Sequence, residues 1–172
     1  MFPAMAAQKV LYMLIGPKGA GKTHIGTLIS QRTDILFLRV EPIWMRLRPG
    51  ENGWKKVEAV VDTMFQIYKK VMIESLGIGA GFQSFHSSLA QKYPIQMIRV
   101  CADPDTCLRR AKDRDSADQI AVSDDQIAKY NQIAAGVSYD WDLEIDNNLP
   151  ISEAEILAAV QSIGAVRRDP EK

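Results

Sequence analysis

The sequence predicts a three-layer α/β domain, with a five-stranded parallel sheet and helices on both faces. Three observations carry that expectation. Short apolar runs alternate with segments of helical periodicity from Lys9 to Ile163. The first apolar run leads directly into a glycine-rich turn and then a helix. The chain of 172 residues is long enough for one core, and neither an internal repeat nor a linker-like stretch divides it. One domain is therefore expected over residues 1–172, with its core over about 9–164.

Lys9-Val-Leu-Tyr-Met-Leu-Ile15 has the composition of a buried strand, and His24 to Arg32 that of a helix. Asp34 to Val40 reads as the second strand. Pro42 has no N–H to give to a ladder, so Glu41 is expected at that strand's carboxyl end. Trp44 to Gly53 reads as loop, broken by Pro49, Gly50 and Gly53. Val57, Val60, Val61, Met64 and Tyr68 then recur at three-and-four spacing, which predicts the apolar face of a helix.

Val71 to Ser75 is the third strand, Leu76-Gly-Ile-Gly-Ala-Gly81 a turn, and Phe82 to Tyr93 a helix. Pro94 to Ala102 gives the fourth strand. Asp103 can cap a helix and Pro104 suits its first turn, which places a helix over 104–112. Ser123-Asp-Asp-Gln126 is a capping-box pattern ahead of Ile127, Tyr130, Ala134 and Val137 on one helix face. Trp141 to Asp146 alternates as the last strand, and Ser152 with Glu155 caps a final helix.

Basic and acidic residues balance at 21 each, so no global field recruits nucleic acid or an anionic membrane. No apolar run approaches the roughly 20 residues of a spanning helix, and the first residues lack a secretory pattern, so a cytoplasmic protein is expected. Cys101 and Cys107 form no C-x-x-C, and the histidines do not cluster; both cysteines are expected to be reduced packing residues. Nothing in the chain fixes an oligomeric state.

Gly16-Pro17-Lys18-Gly19-Ala20-Gly21-Lys22-Thr23 fits G-x-x-x-x-G-K-[ST] in full, between a strand and a helix. In that setting glycines let backbone N–H groups converge on phosphate oxygens, and the helix start at His24 adds partial positive charge. Lys22 is expected to reach the outer phosphates and the Thr23 hydroxyl to ligate magnesium. Ligands of parallel sheets lie at the carboxyl ends of strands, so the octapeptide, Glu41 and Glu74 converge on one site. Glu74 sits in an apolar strand, where it needs a partner such as magnesium-bound water, Thr23 or a substrate. Arg46 and Arg48 suit an anionic substrate as well as they suit a solvated loop.

On these residues the chain resembles the small P-loop kinases of the nucleoside monophosphate kinase and shikimate kinase group, in order of elements from Lys9 to Ile163. Cys107-Leu-Arg-Arg-Ala-Lys-Asp-Arg-Asp115 resembles the helix leading into their mobile lid. That implies a short lid over about 113–123, Arg110 against adenine and Arg114 on the transferring phosphoryl group. Glu144-Ile-Asp-Asn-Asn148 resembles the turn bordering adenine, which assigns Asn147 to the nucleotide. Glu74 to Gly81 is similar in position to the turn that shapes the acceptor pocket, which assigns Gly77 and Gly79 to the acceptor.

Two departures stand out. The run of three consecutive glycines is missing, and the usual acidic pair after the second strand is reduced to Glu41, with Arg39 in the other place. Both set shikimate aside and leave the acceptor open. The resemblance implies a P-loop NTPase fold, ATP and Mg2+ as cofactors, and transfer of the γ-phosphoryl group to a hydroxyl or phosphate acceptor. Lys22, Glu41 and Arg114 would be catalytic, Glu41 as base or as orienter. Glu41, Arg46, Glu74, Gly77 and Gly79 would meet the acceptor, and Thr23 and, through water, Glu74 the metal.

The expected partners are thus a nucleotide and a small-molecule acceptor, without nucleic acid or membrane. The competing reading is a nucleotide-binding switch or accessory ATPase with no small-molecule acceptor. The two differ in whether the space between Glu41, Arg46 and the Gly77–Gly81 turn is open or filled.

Overall fold

The strands β1 (Val10–Ile15), β2 (Leu36–Leu38), β3 (Lys70–Ser75), β4 (Ile95–Cys101) and β5 (Leu143–Asp146) form one sheet in the order β2-β3-β1-β4-β5. The structure is a computed structural model that describes residues 7–113 and 122–164. Every neighbouring pair of strands is parallel. Helices α1 (Lys22–Arg32), α2 (Glu41–Met45), α3 (Gly53–Met64), α4 (Gly79–Ala90), α5 (Pro104–Asp113), α6 (Asp124–Ala135) and α7 (Glu153–Gly164) make the connections.

Successive side chains of a strand point to opposite faces, and this sheet buries both. Leu11, Met13 and Ile15 of β1, with Val71 and Ile73 of β3, pack on Val57 and Val61 of α3 and on Phe82, Phe85 and Leu89 of α4. Tyr12, Leu14 and Met72 point the other way, onto Ile25 and Ile29 of α1 and Ile156 and Val160 of α7. The result is the three-layer fold expected. Among the described residues, no helix is long and apolar enough to cross a membrane.

Both capping patterns form. Ser123 Oγ accepts the Gln126 N–H while Gln126 Oε1 accepts the Ser123 N–H, each at 3.3 Å. Ser152 Oγ and the Glu155 carboxylate do the same for α7, at 3.2 and 3.0 Å.

Elsewhere the boundaries differ from expectation. Strand β2 stops at Leu38, and Glu41 opens the short helix α2 instead of closing a strand. Pro42 is the reason, because a fixed φ and a missing N–H suit a first helical turn. Helix α3 ends at Met64, so Tyr68 leaves its face and is 39% exposed, while Phe65 takes the buried place one turn after Val61. Gly79 and Gly81 belong to α4, which starts ahead of Phe82. On α6 the buried face runs through Ile127, Asn131 and Ala134, which leaves Tyr130 outside it.

Candidate functional site

Strand β1 lies at the middle of the sheet, and the chain leaves it at Gly16 in a turn that returns as α1 at Lys22. Gly19 and Gly21 have φ of 85° and 102°, a conformation that side chains with a Cβ rarely adopt. A Cβ would also stand 2.0 Å from the Cys107 carbonyl oxygen at Gly19 and 2.2 Å from Asn147 Nδ2 at Gly21. The Lys22 side chain is buried and curls over the turn, its Nζ donating to the carbonyls of Gly16 and Pro17, both at 2.7 Å. Backbone N–H groups at a helix start are suited to an anion, and here the Lys22 ammonium lies on the carbonyls of the same turn.

Two asparagines from distant parts of the chain brace this turn. Asn131 of α6 is buried and pairs twice with Lys18: its Oδ1 accepts the Lys18 N–H at 2.8 Å and its Nδ2 donates to the Lys18 carbonyl at 2.9 Å. Asn147, just past β5, donates from Nδ2 to the Ala20 carbonyl at 2.8 Å. The Asn147 carbonyl in turn accepts Arg110 NH2 at 2.8 Å. Asn147, assigned to the nucleotide by resemblance, thus spends its amide on the loop that would hold the phosphates. Arg110 keeps a second guanidinium nitrogen, NH1, buried and without a hydrogen-bond partner among the described residues. Asn131 was not singled out from the sequence, where a polar residue between Ile127 and Ala134 reads as a wet position.

The Thr23 hydroxyl donates to Glu74 Oε2 at 2.9 Å, which joins the start of α1 to the end of β3. Glu74 is 6% exposed, and its other oxygen, Oε1, is buried with no hydrogen-bond partner among the described residues. An unsatisfied buried carboxylate oxygen costs roughly 1–3 kcal/mol or more, so a cation or a donor is needed there. Hydroxyl and carboxylate oxygens are the donors a hard cation takes, and magnesium commonly binds through one or two protein oxygens with water and phosphate completing its shell. No cluster of three or more metal-ligating acids, histidines or cysteines exists among the described residues. Thr23 and Glu74 thus present oxygen donors of the kind that fit magnesium.

A cleft of about 680 Å³ opens beside these residues. On one side Lys18, Gly19, Gly21, Lys22, Thr23 and His24 meet Arg110 and Asn131; on the other lie Val40, Glu41, Trp44, Trp54 and Leu76, with Glu74 between. Open space therefore lies beside Glu41, but it is not the space between Glu41, Arg46 and the Gly77–Gly81 turn that was to separate the two readings. Arg46 is exposed and outside the lining. Gly77 is buried under Tyr139, whose hydroxyl donates to the Gly77 carbonyl at 2.6 Å, and Gly79 is exposed at the first turn of α4. None of the three lines the cleft: Tyr139 covers Gly77, Gly79 faces open space with nothing within 4 Å of a Cβ, and Arg46 lies in solvent at the end of α2. Arg114 and residues 114–121 of the expected lid lie outside the described residues. Both cysteines are free thiols, pushed above their ordinary range by burial.

This geometry is that of a P-loop fold with an open cleft, and solved structures share the fold. Shikimate kinase from Acinetobacter baumannii, in complex with shikimate, superposes with a TM-score of 0.58 at 16% identity, over 92% of this chain and 94% of that one. The Deinococcus radiodurans tunicamycin resistance protein matches with a TM-score of 0.65 at 14% identity, over 95% and 100%. A chain of the Pnkp1/Rnl/Hen1 RNA repair complex matches with a TM-score of 0.61 at 14% identity; 77% of the present chain is covered, spanning 47% of that chain. At such identities the likeness is one of fold, and the fold is that of the small P-loop kinases. No protein-family model matches the chain, and no curated protein sequence matches it.

Proposed function

We propose that this protein is an ATP-dependent kinase that transfers the γ-phosphoryl group to a hydroxyl or phosphate of a small molecule. The observation that carries the reading is the open compartment between the phosphate loop and Glu41. A switch or accessory ATPase needs no such space, and here it adjoins Lys22 and is faced by two carboxylates.

In this reading the loop amides and Lys22 bind the outer phosphates, with Lys22 exchanging its carbonyl partners for phosphate oxygens as charge builds on them. Thr23 and, through water, Glu74 would hold magnesium, which would supply charge neutralisation at the phosphates. The unpartnered NH1 of Arg110 supports a role for that residue at the nucleotide, and Arg114 is assigned to the phosphoryl group. Glu41 orients the acceptor hydroxyl or takes its proton. Catalysis then comes chiefly from positioning and charge. The balance of 21 basic and 21 acidic residues weighs against a nucleic-acid substrate, and a cytoplasmic setting fits the use of ATP.

The test is product formation from Mg-ATP with a panel of nucleosides, nucleotides, sugars and hydroxy acids. At least one acceptor should become phosphorylated and raise ADP release above the acceptor-free rate. ADP release that no acceptor changes would favour the accessory ATPase instead.

A further inference from the structure

We propose that Asn147 is a positioning residue that ties Arg110 to the phosphate loop, so that loop and guanidinium bind the nucleotide as one unit. This rests on the nucleotide half of the kinase reading above and asks nothing of the acceptor.

Three polar groups of Asn147 reach three separate parts of the chain. Its N–H donates to the carbonyl of Cys101, the last residue of β4, at 2.8 Å. Its Nδ2 donates to the Ala20 carbonyl within the phosphate loop, and its own carbonyl accepts Arg110 NH2 from α5, both at 2.8 Å. Closing the turn after β5 requires neither of the last two, and that task falls to the next residue. Asn148 donates from its N–H and its Nδ2 to Asp146 Oδ1, at 3.1 and 2.8 Å, and its Oδ1 accepts the Asp103 N–H ahead of α5.

The loop has room for this amide and no more. A Cβ at Gly21 would stand 2.2 Å from Asn147 Nδ2, so a side chain there would push the amide off the Ala20 carbonyl. Helix α5 also meets the loop three residues before Arg110, where a Cβ at Gly19 would stand 2.0 Å from the Cys107 carbonyl oxygen. Contact at one point lets a helix pivot. The Asn147 bridge adds a second point, at the guanidinium itself.

Arg110 is the group that the bridge holds. A guanidinium presents its donors in a rigid fork, so fixing NH2 also fixes where NH1 lies. NH1 is buried and has no hydrogen-bond partner among the described residues, although Asp113 lines the same cleft. A buried charged donor left unpaired is costly, and a nucleotide seated on the loop brings acceptor atoms into that cleft. With the loop and Arg110 held at a set spacing, neither has to be reoriented when ATP arrives, and each contact strengthens the other. A residue that merely stiffened the loop would act independently of Arg110.

The test is a double-mutant cycle on Mg-ATP affinity, measured by isothermal titration calorimetry on the whole chain. Asn147→Ala and Arg110→Ala should each weaken binding about ten-fold, and the double variant by no more than about twenty-fold, where independent losses would multiply to about a hundred-fold. The control is Asn131→Ala, which loosens the same loop at Lys18. Combined with Arg110→Ala, its loss should multiply in full. Should Asn147→Ala fail to fold, Asn147→Leu removes the amide at nearly the same shape and enters the same cycle. Losses that multiply for Asn147 as they do for Asn131 overturn the proposal, and so does wild-type affinity in either single variant. Equal shortfalls in both cycles overturn it too, because they would mark a general loosening of the site. A wild-type protein that binds no Mg-ATP refutes the kinase reading and the proposal with it, whereas ATP binding with multiplying losses removes the proposal alone.

Discussion

On the β1 side of the cleft, a turn of six residues is held in shape by hydrogen bonds to its own backbone: Asn131 on Lys18, Asn147 on Ala20, and Lys22 on Gly16 and Pro17. On the β2 and β3 side, the wall is held by rings packed on rings, with Trp54 edge-on to Trp44 and Phe82 and tilted against Phe85. Hydrogen bonds to backbone fix direction, and a loop built on them presents one arrangement of N–H groups suited to one kind of ligand. Ring packing fixes volume and tolerates exchange of one large apolar residue for another. In the proposed kinase the donor half would therefore allow little variation in sequence, and the acceptor half would change specificity through a few substitutions without disturbing the phosphates.

The strongest way to break this contrast is Lys22→Ala. It should lower turnover by about a thousand-fold, the loss seen when a group that stabilises charge in the transition state is removed. The circular dichroism spectrum should stay that of the wild type. Turnover within a few-fold of normal would remove Lys22 from the chemistry and with it the functional meaning of the donor half. Trp54→Ala acts on the other half and on stability. Cutting an indole from between Trp44, Phe82 and Phe85 should cost about 3 kcal/mol in urea unfolding. A loss under about 1 kcal/mol would mean the wall is not packed as described.

Asn131→Asp sharpens the donor side. At neutral pH the carboxylate cannot donate to the Lys18 carbonyl and sets a charge against it, so nucleotide should bind about ten-fold more weakly, near 1.4 kcal/mol. Once protonated, a carboxyl has one donor and one acceptor, like the amide it replaces, and affinity should recover as the pH is lowered toward 4–5. A pH-independent loss would mark Asn131 as a packing residue only.

The smallest effect concerns His86, which stands against Phe82 and Tyr139 behind the aromatic wall. Burial lowers its pKa below the ordinary 6.5. As pH falls through 6.5, the unfolded chain takes up a proton that the folded one resists, so stability declines from there until the folded pKa is passed. Melting temperatures at pH 7.5 and 5.5 should differ less in His86→Phe than in the wild type. An unchanged difference would assign the acid sensitivity to other groups.

Much of the fold can be read from the chain because it is written in local periodicity. The alternation of Leu11, Met13 and Ile15 with Tyr12 and Leu14 and the two capping boxes are all short-range patterns. The phosphate turn is equally legible, since its chemistry lies in consecutive residues. The rest depends on partners far along the chain. Asn131 acquires its role from a residue 113 positions away, and a buried amide on a helix face has no periodic signature. The Gly77 turn looks like a ligand cradle until Tyr139, from beyond α6, is seen to close it. Arg46 falls in a stretch that reads as a loop bordering the acceptor, but Pro42 starts a helix there, and the arginine at its end stays in solvent.

The order β2-β3-β1-β4-β5 has a consequence for how such a chain comes to exist. Its central strand is the first of the five to be made, and the register pairs Val10 with Lys70 and Leu11 with Ile95. During synthesis, an apolar strand with both edges unpaired must wait for one neighbour and then the other, with no local hairpin to occupy it meanwhile. The nascent chain is most prone to aggregate in that interval, and a pause or a chaperone acting before β4 emerges would protect it more than help given at any later stage.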